Sequence, residues 1–183
     1  MNTSIESRLN LLAAAGQQGL LKGGLKGLEK ESLRVMPTGQ IAQTPHPKGL
    51  GSALKHPFIT TDYSEALIEL ITPPFEDSAD TLEFLDRLHR FVYQNLDNET
   101  LWPASMPSDI DGDGSIPIAY FGTSNSGQMK HVYRRGLAWR YGRAMQSIAG
   151  VHFNYSVNPS LWPVLQELLG FRSLYFRIAL YLL

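Results

Sequence analysis

The sequence has 183 residues, which is enough for one domain with a hydrophobic core. Its 43% hydrophobic and 18% charged residues are typical of a soluble globular protein and argue against a disordered or membrane-embedded chain. The net charge of −1 gives no general attraction to nucleic acid or to a membrane surface, and the absence of cysteine excludes disulfides and thiolate metal sites. We therefore expect a cytoplasmic protein without nucleic-acid or membrane partners.

The first predicted elements are a helix and a strand. Thr3 and Glu6 have the spacing of a capping box, and apolar residues at helical spacing follow until the helix ends near Gly16. Residues 27–35 alternate as a strand does. Residues 36–51 are rich in proline and glycine and are predicted to form a loop.

The next segment, residues 58–72, is predicted to be extended with an interruption near Ser64, and a helical turn over residues 65–71 is the alternative. Asp77 or Ser78 then caps a helix. The apolar face predicted for this helix consists of Leu82, Leu85, His89, Val92 and Leu96.

The second half of the chain alternates again between loop, helix and strand. Residues 97–127 are predicted to form a long loop, and loops of this length are usually functional. A basic helix over residues 128–147 and a strand over residues 151–157 follow. The apolar segment 168–183 contains two arginines and is too short to span a bilayer, so it is predicted to be a core helix. Strands separated by helices indicate an α+β fold.

The charges are unevenly distributed along the chain. Thirteen of the seventeen acidic residues lie between Asp62 and Asp113, whereas the segment from Gly114 to Gln166 has no acidic residue. Two solvated faces of opposite charge would explain this pattern, and so would a site with cation-binding and anion-binding surfaces suited to a metal–nucleotide substrate. The basic residues concerned are Lys130, Arg134, Arg135, Arg140 and Arg143.

Two carboxylates lie on the more apolar face of the first predicted strand. Alternation over residues 27–35 places Glu29 and Glu31 on one face together with the apolar residues that follow them. Like charges on an inward face repel each other, and desolvation adds to the cost unless cations neutralise them. The strand therefore predicts a cation site.

Further candidates for this site come from two later segments. Glu69 alternates with apolar residues in the segment 58–72, and Asp62 lies just before it. In the strand 151–157, His152 shares a polar face with Asn154. Carboxylates with one imidazole and no thiolate form an oxygen-rich set that suits Mg²⁺ or Mn²⁺ better than structural zinc.

Simpler explanations of these residues remain open at this point. Glu29 or Glu31 could form a buried salt bridge with Arg134 or Arg140. An isolated histidine such as His152 is also commonly a hydrogen-bonded core residue rather than a ligand.

Segments covering roughly residues 20–160 resemble proteobacterial-type glutamate–cysteine ligases (γ-glutamylcysteine synthetases), in the order and at the spacing of that family. Each segment alone is a weak match, and together they are specific. They are GLEKESLRV at 27–35, ITTDYSEALIELITP at 59–73, LWPASMP at 101–107, YFGTSNSG at 120–127, the pair Tyr133-Arg134, Arg140-Tyr141-Gly142, and MQSIAGVHFNYS at 145–156.

The resemblance implies an α+β fold related to glutamine synthetase, with flanking helices and an antiparallel sheet curved into a funnel around the active site. Residues 1–183 would form the N-terminal part of the catalytic domain, so the sheet would be incomplete. The resemblance also implies Mg²⁺, with Mn²⁺ as an alternative, between ATP and glutamate. The implied metal ligands are Glu29, Glu31, Asp62, Glu69 and His152.

The resemblance also assigns residues to substrates. Arg134 is the implied catalytic residue, and Tyr63 occupies the position of an aromatic residue beside the cysteine site. The residues implied to border the amino-acid pockets are Tyr133, Arg134, Gln146, Ile148 and Asn154.

The implied reaction is the first step of glutathione biosynthesis. ATP phosphorylates the γ-carboxylate of glutamate, and the amine of cysteine then displaces phosphate from the acyl phosphate, with the complete enzyme acting as a monomer. Such transfers need mainly positioning and charge neutralisation. Another carboxylate–amine ligase of this fold, or a module that binds nucleotide or glutamate without turnover, is the alternative. Because family members continue beyond this sequence, we expect the chain alone to be inactive.

Overall fold

The structure, a computed structural model, describes residues 4–170. Contacts between residues divide the chain into two units. Gly27–Asn154 form the larger unit, and the smaller one joins residues 4–26 and 155–170 of the described chain.

The smaller unit contains two helices that contact each other, α1 (Ile5–Ala14) and α4 (Leu161–Leu168). The helix predicted near the N-terminus is confirmed, but its cap is Ser4, whose hydroxyl accepts a hydrogen bond from the backbone N–H of Ser7 at 3.2 Å. Thr3 lies outside the described residues. Of the predicted core helix 168–183, only residues 168–170 are described. Helix α4 was not predicted.

The larger unit is built on an antiparallel sheet. Neighbouring strands follow the order β2-β3-β1-β4, and β5 also pairs with β1. The strands are β1 (Leu25–Val35), β2 (Ile59–Thr61), β3 (Leu67–Ile71), β4 (Thr100–Leu101) and β5 (Val151–Ser156). The predicted strands are confirmed, and residues 67–71 form a strand rather than a helical turn.

One face of the sheet packs against α2 (Ser78–Gln94), which Asp77 caps by accepting a hydrogen bond from the N–H of Ala79 at 2.8 Å. The prediction for this helix was wrong at Leu82, which is exposed. Relative to the prediction, the helix is rotated about its axis. Four residues spaced four, three and four positions apart face the sheet, and Leu82 lies beside them on the exposed surface. The residues that the helix buries are Thr81, Leu85, Leu88 and Val92.

The opposite face of the sheet packs partly against α3 (Asn125–Tyr141). The predicted basic helix is confirmed, but it begins earlier because Ser124 accepts a hydrogen bond from the N–H of Gly127 at 3.2 Å. It ends at Gly142, whose φ of 80° no other residue type adopts easily. The contacting residues include Leu33, Val35 and Leu67 of the sheet and Leu137 and Ala138 of the helix.

A buried ion pair anchors the end of β1. Arg34 and Glu99 have side chains that are 1% and 4% exposed, and their Nη1 and Oε2 atoms lie 2.7 Å apart. Arg34 also donates to the backbone carbonyls of Thr44 and Glu65 at 2.8 and 3.0 Å. Arg34 therefore links β1 to the three segments that contain Thr44, Glu65 and Glu99.

The segment predicted as a long loop, residues 97–127, is mostly irregular but contains β4 and the start of α3. Among the described residues, no helix is long and apolar enough to cross a membrane.

Candidate active site

Strand pairing brings the predicted carboxylates onto one face of the sheet. Glu31 of β1 lies directly opposite Glu69 of β3, and Glu29 is two residues along β1 from Glu31. Residues opposite each other in an antiparallel pair, and residues two apart in one strand, point to the same side. The α3 side of the sheet therefore has apolar contacts at one end of its strands and these carboxylates at the other.

Strand β5 supplies the hydrogen bonds that hold Glu29. The Nδ2 of Asn154 donates to Glu29 Oε1 at 3.0 Å, and His152 Nδ1 lies 3.2 Å from Glu29 Oε2. The side chain of His152 is 61% exposed, so the interpretation as a buried core histidine is wrong. Both residues therefore belong to the carboxylate site. In this structure the polar atoms of both side chains contact Glu29.

Glu31 is held by the peptide before β5. One of its oxygens, Oε2, accepts a hydrogen bond from the backbone N–H of Gly150 at 2.7 Å. A Cβ atom at position 150 would lie 3.1 Å from His152 Nε2, so a side chain there would crowd the histidine. Gly150 is a site residue that the sequence analysis missed, because its contribution is a backbone group.

Burial and mutual repulsion perturb the ionisation of the carboxylates. The pKa of Glu69 is raised to about 7, mainly by burial, and the nearby charges of Asp62, Glu31 and Glu29 contribute to the same shift. Burial also raises the pKa of Glu31, and the hydrogen bond from the Gly150 N–H offsets part of that shift because it stabilises the charged carboxylate. Titratable groups perturbed in this way are typical of functional sites.

Arg134 lies beside this cluster. Its Nε donates to the backbone carbonyl of Asp62. Burial lowers the pKa of the guanidinium, and the charges of Asp62 and Glu69 oppose that shift. Within the described part of the chain, neither Glu29 nor Glu31 forms a salt bridge with an arginine, so the predicted alternative of a structural glutamate–arginine pair is wrong.

The donor set suits a hard divalent cation, because it consists of carboxylates that repel one another on a half-buried surface. The side chains are not gathered around one point, however. Among residues 4–170, no three His, Asp or Glu side chains converge closely enough to hold a metal ion. Oxygens of Glu29 and Glu31 accept hydrogen bonds from the protein, which leaves further lone pairs on both carboxylates.

The remaining residues that were predicted to bind substrate are spread over several elements. Tyr63 is buried in the core beneath α3, and its hydroxyl is buried with no hydrogen-bond partner among residues 4–170. Tyr133 is exposed on α3. Gln146 and Ile148 lie at a single helical turn, Met145–Ser147, and just after it, in the segment that leads to Gly150.

The sequence and the fold were compared with those of known proteins. The family model described as "Glutamate-cysteine ligase" matches residues 9–182. A glutamate–cysteine ligase from Pseudomonas fluorescens is 55% identical over 167 residues, which is 91% of this chain and 31% of the relative. One from Azotobacter vinelandii is 54% identical over 170 residues, covering 93% of this chain and 32% of the relative.

Solved structures give the same result. The crystal structure of a glutamate–cysteine ligase from Francisella tularensis in complex with AMP has a TM-score of 0.77 and 41% identity, covering 80% of this chain and 29% of that one. A bifunctional glutathione synthetase from Pasteurella multocida has a TM-score of 0.73 and 34% identity, covering 91% and 20%. The α+β fold is thus confirmed as the one these ligases share, and the chain spans about a third of the length of the curated relatives it matches. It belongs to the glutamate–cysteine ligase family.

Proposed function

We propose that this region is part of an enzyme that joins the γ-carboxylate of L-glutamate to the amino group of L-cysteine with the consumption of ATP. The γ-carboxylate attacks the terminal phosphate of ATP and releases ADP. The cysteine amine then attacks the resulting acyl phosphate, loses a proton, and expels phosphate as the amide forms. The observation that carries this proposal is the cluster of Glu29, Glu31, Glu69 and Asp62 beside Arg134, within a chain similar to these ligases.

The carboxylates are proposed to hold Mg²⁺, or Mn²⁺ in its place. Glu31, Glu69 and Asp62 would be ligands, with Glu29 and His152 completing the set. Bound Mg²⁺ supplies positive charge that neutralises phosphate oxygens during the transfer. Glu69 must lose its proton to act as a ligand, and its pKa of about 7 allows this near neutral pH.

Arg134 is the proposed catalytic residue, because its guanidinium is held next to the carboxylate cluster and supplies a fixed positive charge for a substrate anion. Tyr133, Gln146, Ile148 and Asn154 are proposed to border the amino-acid pockets, with Tyr63 behind the cysteine site. We expect the complete enzyme to be a cytoplasmic monomer.

A nucleotide fits this proposal, since the Francisella relative was crystallised with AMP. A different amine acceptor, or binding without turnover, would use the same carboxylates. ADP release that requires cysteine among a panel of amino acids would exclude the first alternative, and any ADP release would exclude the second.

The test is a chimera in which residues 9–182 of this chain, the range that the family model matches, replace the corresponding part of the Pseudomonas fluorescens ligase. We expect it to form γ-glutamylcysteine and ADP in equal amounts with Mg²⁺. Glu31→Gln should lower turnover strongly, whereas Glu83→Gln, on the exposed side of α2, should leave it unchanged. A folded chimera that forms no product would contradict the proposal.

A further inference from the structure

Helix α3 presents two cations to one aromatic ring. The guanidinium carbon of Arg134 lies 4.7 Å from the centre of the Phe121 ring, and Nζ of Lys130 lies 5.1 Å from the same centre. The face of an aromatic ring is electronegative and attracts cations at such distances. Both cations therefore lie over the face of the Phe121 ring.

Phe121 is held in place independently of the main core. It is 6% exposed and forms a separate cluster with Ala53, Ala119 and Leu54. The residue before it is fixed as well, since the N–H of Tyr120 donates to Glu65 Oε2 at 2.7 Å. The ring is thus a rigid support rather than a mobile surface side chain.

The other contacts of Arg134 leave one edge of the guanidinium free. Nε donates to the carbonyl of Asp62, and Nη1 donates to the carbonyl of Lys130 at 3.2 Å. Nη2 donates to none of the described residues, and Nη1 has a second N–H to offer. A carboxylate can accept two parallel hydrogen bonds from such an edge.

We infer that Phe121 is a positioning residue, which holds the guanidinium of Arg134 so that its free edge is directed to a substrate carboxylate. This inference rests on the proposed function, because it takes Arg134 as the group that binds the amino-acid substrate. Phe121 itself touches no reacting atom. Lys130 contacts the same ring but is exposed, whereas Arg134 is partly buried.

Nuclear magnetic resonance of the 183-residue chain tests the positioning directly. In the wild-type chain, the Nε–H of Arg134 should exchange slowly with water, and its side-chain protons should be shifted upfield by the ring. Phe121→Leu should abolish the upfield shift and accelerate exchange, whereas Phe121→Tyr, which keeps the aromatic face, should preserve both. An Arg134 spectrum that is the same in Phe121→Leu would overturn the inference.

Kinetics of the chimera test the consequence for the substrate. Phe121→Leu should raise KM for glutamate by about 3- to 30-fold, with little change in KM for ATP, and Phe121→Tyr should restore it. In an Arg134→Lys background, Phe121→Leu should have almost no further effect. Equal effects in both backgrounds would overturn the inference. A wild-type chimera without product would refute the proposed function, while the Arg134 spectrum would still decide whether Phe121 orients Arg134.

Discussion

Arg34 lies outside the site, fully buried next to β4, and pairs with Glu99. Removing one partner of a buried pair leaves the other charge without compensation. We therefore expect Glu99→Gln to lower the free energy of unfolding by about 3–5 kcal/mol in urea denaturation.

A control for this prediction is the exposed ion pair on α2. Arg90 Nε and Asp86 Oδ2 are also close, at 2.8 Å, but their side chains are 75% and 55% exposed. Asp86→Asn should change the free energy of unfolding by less than about 0.5 kcal/mol, because water screens the pair. Equal losses for both variants would show that the Arg34–Glu99 pair is not specially stabilising.

The ionisation of Glu69 gives a prediction about pH. Its pKa in the folded chain, about 7, lies above the ordinary value of 4.5, so the folded state holds the proton more tightly than the unfolded state does. Stability without metal should therefore fall as the pH rises from about 4.5 to 7, and the penalty should be complete above that range.

Glu69→Gln removes this penalty. Without metal at pH 8, the variant should be more stable than the wild type by about 1 kcal/mol after allowance for solvent screening, or roughly 2–4 °C in melting temperature. The advantage should shrink at pH 5. Thermal unfolding in EDTA at pH 8 and at pH 5 measures the difference in stability between the variant and the wild type, with Glu83→Gln as a control. An advantage that does not depend on pH would show that the carboxylate is not destabilised in the folded chain.

Helix α3 contains two glycines with opposite surroundings. A Cβ at Gly127 would lie 2.6 Å from the backbone carbonyl oxygen of Phe121, whereas a Cβ at Gly136 would meet nothing within 4 Å. Alanine is normally the better helix former. We expect Gly136→Ala to stabilise the protein by about 1 kcal/mol.

At the first turn of α3 the result should be reversed. Gly127→Ala should destabilise the protein by about 1–3 kcal/mol, because the loop that carries Phe121 has to move away from the helix. Chemical denaturation of the two variants side by side gives the comparison. Stabilisation by both alanines would mean that the close contact between Phe121 and α3 is not maintained.

Across the whole chain, local patterns predicted the strands and helices best where one face is buried. Alternation in β1 placed Glu29 and Glu31 on one face correctly, and alternation in β3 placed Glu69 on the same face of that strand as Leu67 and Ile71. The capping residue Asp77 was also visible in the sequence. These features depend on neighbours in sequence, so they could be predicted without tertiary contacts.

Features that depend on distant contacts were missed. The hydrogen bond from Gly150 to Glu31 joins residues far apart in the chain, and no local pattern indicates it. The same holds for the contact between Arg134 and the Phe121 ring and for the partner of Arg34. In α2, the rotation of the helix was set by packing on the sheet rather than by its own sequence, so Leu82 was assigned to the wrong face.

We propose that the carboxylates on the β1–β3 face bind a divalent cation. This proposal is tested most directly by titrating the 183-residue chain with Mn²⁺ and measuring free Mn²⁺ by electron paramagnetic resonance. The wild type and a charge-matched control, Glu83→Gln with Asp86→Asn, should bind Mn²⁺ with equal affinity. Glu31→Gln with Glu69→Gln should lower the affinity by at least about tenfold. No binding by the wild type, or equal binding by all three proteins, would show that Glu31 and Glu69 do not form a divalent-cation site.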